Sequence, residues 1–131
     1  MVAEKFHAVV KLGLTNTRMK DFYDLWVLAH EFQFDGRVLA QALEATFRRQ
    51  KTEIPAAGSL PLTAEFAESK AGQWRAFMRK NGLEAEGATL DRVTQDLQQF
   101  LLPPARALGA RTKFTMFWPA RGAWKTREHA G

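Results

Sequence analysis

The sequence predicts an all-α protein: a small helical bundle of about five to six helices, opening with an antiparallel helix hairpin and closing in an extended basic and aromatic C-terminal tail. Three observations predict it. Apolar residues recur at three- and four-residue spacing over most of the 131 residues. Gly, Pro, Asn and Asp separate these periodic stretches cleanly. Only Thr112, Phe114, Met116 and Trp118 alternate as a short strand or extended clamp would.

The hairpin comes first. Phe6, Val9, Val10 and Leu14 mark one face of a first helix, and Phe22, Leu25, Trp26 and Ala29 one face of a second. Gly13 supplies a stop, and Thr15-Asn16-Thr17 supply N-cap candidates for the second helix. Lys5 and Asp24 lie at similar distances from that turn, so a rise of about 1.5 Å per residue brings them nearly level across the hairpin. Asp21 is one turn closer to the loop on roughly the same face as Asp24. An ammonium group opposite two carboxylates is a usable site for phosphate and a divalent metal. The same charges also suit an ordinary interhelix ion pair, with Lys20 and Asp24 as a routine i,i+4 partnership.

A third helix follows Asp35 as N-cap, with Leu39, Ala42, Leu43 and Phe47 as its stripe and the basic end Arg48, Arg49 and Lys51 complementing its dipole. Thr52 to Pro61 reads as a loop around Pro55, Gly58 and Pro61. Thr63 caps a short helix containing Phe66, and Trp74, Phe77 and Met78 mark the next, stopped by Asn81-Gly82. Leu90, Val93, Leu97, Phe100 and Leu101 give the last long helix, which Pro103-Pro104 is expected to break. Residues 1–107 form the helical domain in this reading. Residues 108–131 are the tail that packs on it or extends from it.

Composition narrows the function. The chain has no cysteine, which excludes disulfides and thiolate metal sites. No apolar run spans a bilayer and the start lacks a signal-peptide core, so a cytoplasmic protein with no membrane partner is expected. Charges before Leu97 cancel, and the whole +5 excess lies in Arg106, Arg111, Lys113, Arg121, Lys125 and Arg127 against Glu128 alone. Interleaved with Phe114, Phe117, Trp118 and Trp124, these cations suit an RNA backbone with stacked bases. The favoured alternative packs the aromatics onto the helices and leaves the charges in water. His7 and His30 lack a second ligand at metal spacing, and His129 sits near the end; each reads as a surface or boundary histidine. Ser59 and Ser69 lack a base partner, and Tyr23 projects around the helix away from both aspartates.

The segments Ala3-Glu4-Lys5-Phe6 and Thr17-Arg18-Met19-Lys20-Asp21-Phe22-Tyr23-Asp24-Leu25-Trp26 resemble the AbiEii/AbiGii toxin family of nucleotidyltransferases. There a lysine-bearing helix precedes an Arg-x-Lys-Asp-x-x-Asp helix in the C-terminal half. The resemblance extends through Phe100-Leu101-Leu102-Pro103 to Trp118-Pro119 and Gly122-x-Trp124. It implies that Lys5 contacts nucleotide phosphate and that Asp21 or Asp24 is the catalytic acid or base of the helical half. Arg18 and Lys20 become candidate cofactor-binding groups, the cofactors of a full-length relative being Mg and a nucleoside triphosphate.

The chain also departs from that pattern. Family members begin with an α/β domain carrying a Gly-Ser motif and an Asp-x-Asp pair. Gly58-Ser59 is followed by no such pair, and there is no Gly-rich phosphate loop ending in Lys-Ser or Lys-Thr. The chain therefore looks like the C-terminal portion alone, with half an active site, and neither unaided catalysis nor tight nucleotide binding is expected of it. The resemblance implies as partners the missing N-terminal nucleotidyltransferase domain, a cognate antitoxin and an RNA substrate such as tRNA. Apolar surface facing a missing domain would also favour self-association. The alternative is a stand-alone RNA-binding or protein-interaction helical domain without catalysis.

Overall fold

The computed structural model describes residues 2–12, 18–54 and 62–126. Helix α1 (Val2–Leu12) is followed by α2 (Met19–Glu31), strand β1 (Phe34–Asp35) and α3 (Gly36–Arg49). Then come α4 (Ala64–Ser69), α5 (Ala71–Lys80), a 3₁₀ turn (Glu84–Glu86), α6 (Leu90–Gly109) and strand β2 (Phe117–Trp118). The fold is a small helical bundle with one two-residue strand pair, as the apolar periodicity predicts. No helix among the described residues is long and apolar enough to cross a membrane.

The predicted stripes build the core. Phe6 and Val9 of α1 meet Phe22, Leu25 and Ala29 of α2, all buried. Leu39, Leu43 and Phe47 close the α3 side, and Val93, Leu97, Phe100 and Leu101 bring in α6. Ala42 departs from its predicted stripe and is exposed, because α3 turns Ala40 and Thr46 inward instead. Val10 and Trp26 are partly buried at the core's edge. Helix α6 lies across α2, α3 and α4 as the element that ties the bundle together.

Caps follow the local chemistry. Asp35 Oδ1 accepts from Arg37 N at 2.9 Å, Thr63 Oγ1 from Phe66 N at 3.2 Å and Thr89 Oγ1 from Arg92 N at 3.2 Å. Helix α5 ends at Asn81, with Gly82 in the left-handed region as predicted. Helix α2 differs: its N-cap is Arg18, which makes no side-chain cap, one residue past the Thr15–Thr17 run. Gly13, Leu14 and Thr15 to Thr17 lie outside the described residues, as do Pro55 to Pro61, with Gly58 and Ser59, and Arg127, Glu128 and His129.

The expected break at Pro103-Pro104 does not occur. Helix α6 runs through both prolines to Gly109. Pro104 has no N–H for the carbonyl of Phe100, and the indole of Trp124 donates to that oxygen instead, at 2.9 Å. The carbonyl opposite Pro103 belongs to Gln99, which lies on the exposed side of the helix.

The tail makes this possible by folding back on the helices. Strand β2 pairs antiparallel with β1, Phe34 opposite Trp118 and Asp35 opposite Phe117. Gly36 N donates to Met116 O at 2.7 Å, and Trp118 Nε1 donates to Ala29 O at 2.8 Å near the C-terminal end of α2. Gly122, at φ +76°, passes so close to Trp118 that a Cβ would sit 2.8 Å from its ring. Phe100 stacks on Trp124 at 6.0 Å and an interplanar angle of 9°. The aromatics of the tail thus pack onto the helices, while Arg111, Lys113, Arg121 and Lys125 face solvent.

His7, expected at the surface or its boundary, lies inside instead. It is buried against Phe47 and its Nε2 lies 2.8 Å from Thr52 Oγ1. Its partners come from a segment 45 residues away, so its own helix could not reveal them.

Candidate active site

The hairpin geometry expected from chain length holds. Lys5 of α1 donates from Nζ to Asp24 Oδ2 of α2 at 2.9 Å and lies 3.8 Å from Asp21 Oδ1. Lys20 reaches the same Asp24 oxygen at 2.7 Å, and Arg18 Nε lies 3.2 Å from Asp21 Oδ2. Helix α2 presents both carboxylates on one face, three residues apart, and α1 brings the lysine to them. All five predicted site residues come together in one cluster. Tyr23 leaves it, as its helical angle predicts: its hydroxyl donates to the carboxylate of Glu86 at 3.0 and 2.9 Å.

Three cations around two carboxylates leave the cluster with an excess of positive charge. Burial alone would raise the pKa of Asp24, but hydrogen bonds from Lys20 and Lys5 outweigh it and hold the carboxyl below its ordinary value. Lys20, fully exposed, is pushed above its ordinary value by the hydrogen bond to Asp24 and by that residue's charge. Asp24 is therefore a committed anion whose proton affinity is low.

Asp21 is different. It is only 6% exposed, deeper than Asp24. Its Oδ2 has no hydrogen-bond partner among the described residues. Arg18 Nε is close enough for an ion pair but not along a hydrogen-bonding direction. A buried carboxylate oxygen without a directed donor is costly in a purely structural role and is a common mark of a functional one. The signal was not readable in the sequence, because it depends on how Arg18 crosses the start of the helix.

The residues present fit the phosphate end of a nucleotide better than a metal. The local charge is positive, and among the described residues no group of three His, Asp or Glu side chains is placed to hold a metal ion. Magnesium needs oxygen ligands that are not already bound to lysine.

A groove of about 520 Å³ opens beside the cluster, with Arg18, Lys20 and Asp21 on one side and Gln73, Phe77 and Lys80 of α5 on the other. The α5 residues were missed in the sequence. Their spacing puts Gln73, Phe77 and Lys80 on one helix face, but nothing local says which helix that face meets.

The helical domain thus presents a lysine between paired aspartates, inside a cluster with one more cation than anions. The chain belongs to the family of AbiEii nucleotidyl transferase toxins of type IV toxin–antitoxin systems, whose model matches residues 1–101. The match takes in α1 to α5 and much of α6, and ends before Pro103 and the tail. No curated protein and no solved structure matches the chain.

Proposed function

We propose that this chain supplies the helical half of a nucleotidyltransferase site, completed by an N-terminal α/β domain that carries the Gly-Ser and Asp-x-Asp motifs. The reaction is attack of an acceptor hydroxyl, on an RNA such as tRNA, at the α-phosphorus of a nucleoside triphosphate. The new bond joins the acceptor oxygen to that phosphorus, pyrophosphate leaves, and the hydroxyl proton passes to a base. Family membership also gives the complete protein a cognate antitoxin as partner.

The observation that carries this reading is Lys5 held between Asp24 at 2.9 Å and Asp21 at 3.8 Å. Asp24 is the positioning residue. Its carboxylate aims Lys5, and Lys20 keeps that carboxylate compensated if Lys5 turns to a phosphate oxygen. Asp21, with one oxygen undirected, is the better candidate for the base or for a contact to the nucleotide. Magnesium, when bound, would neutralise charge developing on the triphosphate, and carboxylates of the α/β domain would hold it.

The test is transfer of an α-labelled nucleotide to tRNA by this chain joined to the α/β domain. Lys5→Ala and Asp21→Asn should each lower transfer by about a hundredfold or more, with the helical content unchanged. Asp24→Asn should lower it less, because Lys5 keeps its place beside Asp21. Wild-type transfer by both Lys5→Ala and Asp21→Asn would overturn the assignment.

A further inference from the structure

We propose that the groove between the start of α2 and the face of α5 is the pocket for the nucleotide itself, with Gln73, Phe77 and Lys80 as its binding residues. The ligand class rests on the proposed function; the location rests on the groove. Its chemistry has three parts that seldom coincide without a ligand. Arg18, Lys20 and Lys80 surround one opening of about 520 Å³ with positive charge, which suits phosphate oxygens. Phe77 is half-buried against Tyr23 and Trp74, at ring-centroid distances of 5.9 and 5.6 Å, so its ring is held in place as an apolar platform. Asp21, whose buried Oδ2 has no hydrogen-bond partner among the described residues, is one of the lining residues, and Gln73 adds an amide able to donate and accept.

A bare phosphate would satisfy the cations and leave Phe77 and Gln73 without a role. A neutral aromatic compound would do the reverse. A phosphorylated nucleoside answers to all three, with its phosphates toward the lysines, a flat base against Phe77 and sugar hydroxyls that pair with the amide of Gln73. Lys80 lies at the C-terminal end of α5, where the helix dipole favours a cation, so its place in the groove is locally stable without a ligand.

The experiment is a titration of the full chain with ATP and, separately, with inorganic tripolyphosphate, followed by amide and side-chain shifts in NMR. ATP in the millimolar range should move the signals of Gln73, Phe77 and Lys80, and Lys80→Ala should weaken both ligands by about tenfold. Phe77→Leu, with Gln73→Ala as a second variant that leaves the aromatic packing intact, should weaken ATP and spare tripolyphosphate. Lys113→Ala, in the tail, should change neither. Shifts confined to the tail cations, no shift at all, or wild-type binding by Lys80→Ala would overturn the pocket. If those failures accompany lost transfer in Lys5→Ala, the pocket falls and the proposed function stands. If α5 responds while Lys5→Ala transfers normally, the pocket stands and the proposed function falls.

Discussion

The indole N–H of Trp124 occupies the hydrogen-bonding place that Pro104 leaves empty at the carbonyl of Phe100. One residue of the tail thereby repairs a defect in the helix on which it docks. The repair is polar and apolar at once, since the same indole stacks on the Phe100 ring and meets Trp118 at 5.3 Å. The double proline therefore marks a docking point for the tail rather than the end of a helix.

Restoring the helical donor should make that indole dispensable. Trp124→Phe should cost about 1–2 kcal/mol in the natural background, because a buried carbonyl loses its partner. In the Pro104→Ala background, whose backbone N–H can serve Phe100, the same change should cost clearly less. Urea unfolding of the four proteins gives the coupling, expected at about 1 kcal/mol. Additive effects would mean that the two groups do not share the carbonyl.

Two glycine-to-alanine changes should move stability in opposite directions. A Cβ on Gly36 would lie 2.5 Å from Met116 O and 2.7 Å from the Phe114 ring, and both belong to the docked tail. Gly36→Ala should destabilise by about 1–3 kcal/mol and expose the tail to limited proteolysis. A Cβ on Gly72 meets only the far end of Arg75, at 3.8 Å. Gly72→Ala should stabilise by about 0.4–1 kcal/mol through helix propensity and the unfolded chain's entropy. Thermal melts of both variants check the pair.

His7 gives stability a pH dependence near neutrality. Burial holds its imidazole below the ordinary histidine value, and the charge of Lys11 adds to the effect. The unfolded chain therefore binds the proton more readily. Stability is complete above the ordinary histidine range and falls as pH drops through it toward the depressed folded value. Urea midpoints from about pH 7.5 to 5.5 should decline in the natural protein and flatten in His7→Gln. An unchanged slope in the variant would assign the decline to another group.

Asp24 acts in the same direction at lower pH. Its folded-state carboxyl is held below the ordinary value, against the opposing effect of burial, by Lys20 and Lys5. The stability it contributes is present above the ordinary aspartate range and disappears as pH falls through that range toward the folded value. Asp24→Asn should remove about 1 kcal/mol at neutral pH, an amount limited by solvent at a partly exposed pair, and almost nothing in strong acid. Denaturation curves at the two pH extremes test it.

Much of this architecture is written locally and some of it is not. The α2 stripe of Phe22, Leu25 and Ala29, the Asp35 and Thr63 caps and the Asn81-Gly82 stop depend on neighbours within a turn or two, so spacing reveals them. The juxtaposition of Lys5 with Asp24 was also legible, because a hairpin converts distance from a turn into height along a helix. The continuity of α6 through Pro103 and Pro104 was not, since the compensating donor lies 24 residues from the carbonyl it serves. The burial of His7 depends on Thr52 and Phe47, and the groove beside Asp21 depends on α5, which no local pattern assigns to α2. Proline's missing N–H predicts a break at Pro103-Pro104, and the tertiary donor that overrides it has no local signature.

All four tryptophans of the chain spend their indole N–H on internal acceptors: Trp26 on Asp96, Trp74 on Ala88 O, Trp118 on Ala29 O and Trp124 on Phe100 O. Two of these fluorophores ride on helices and two on the tail. The protein thus carries a built-in optical gauge. A partial red shift of its emission would register tail release alone, whereas a full shift would register loss of the bundle, and removing Trp118 or Trp124 one at a time would calibrate the two signals.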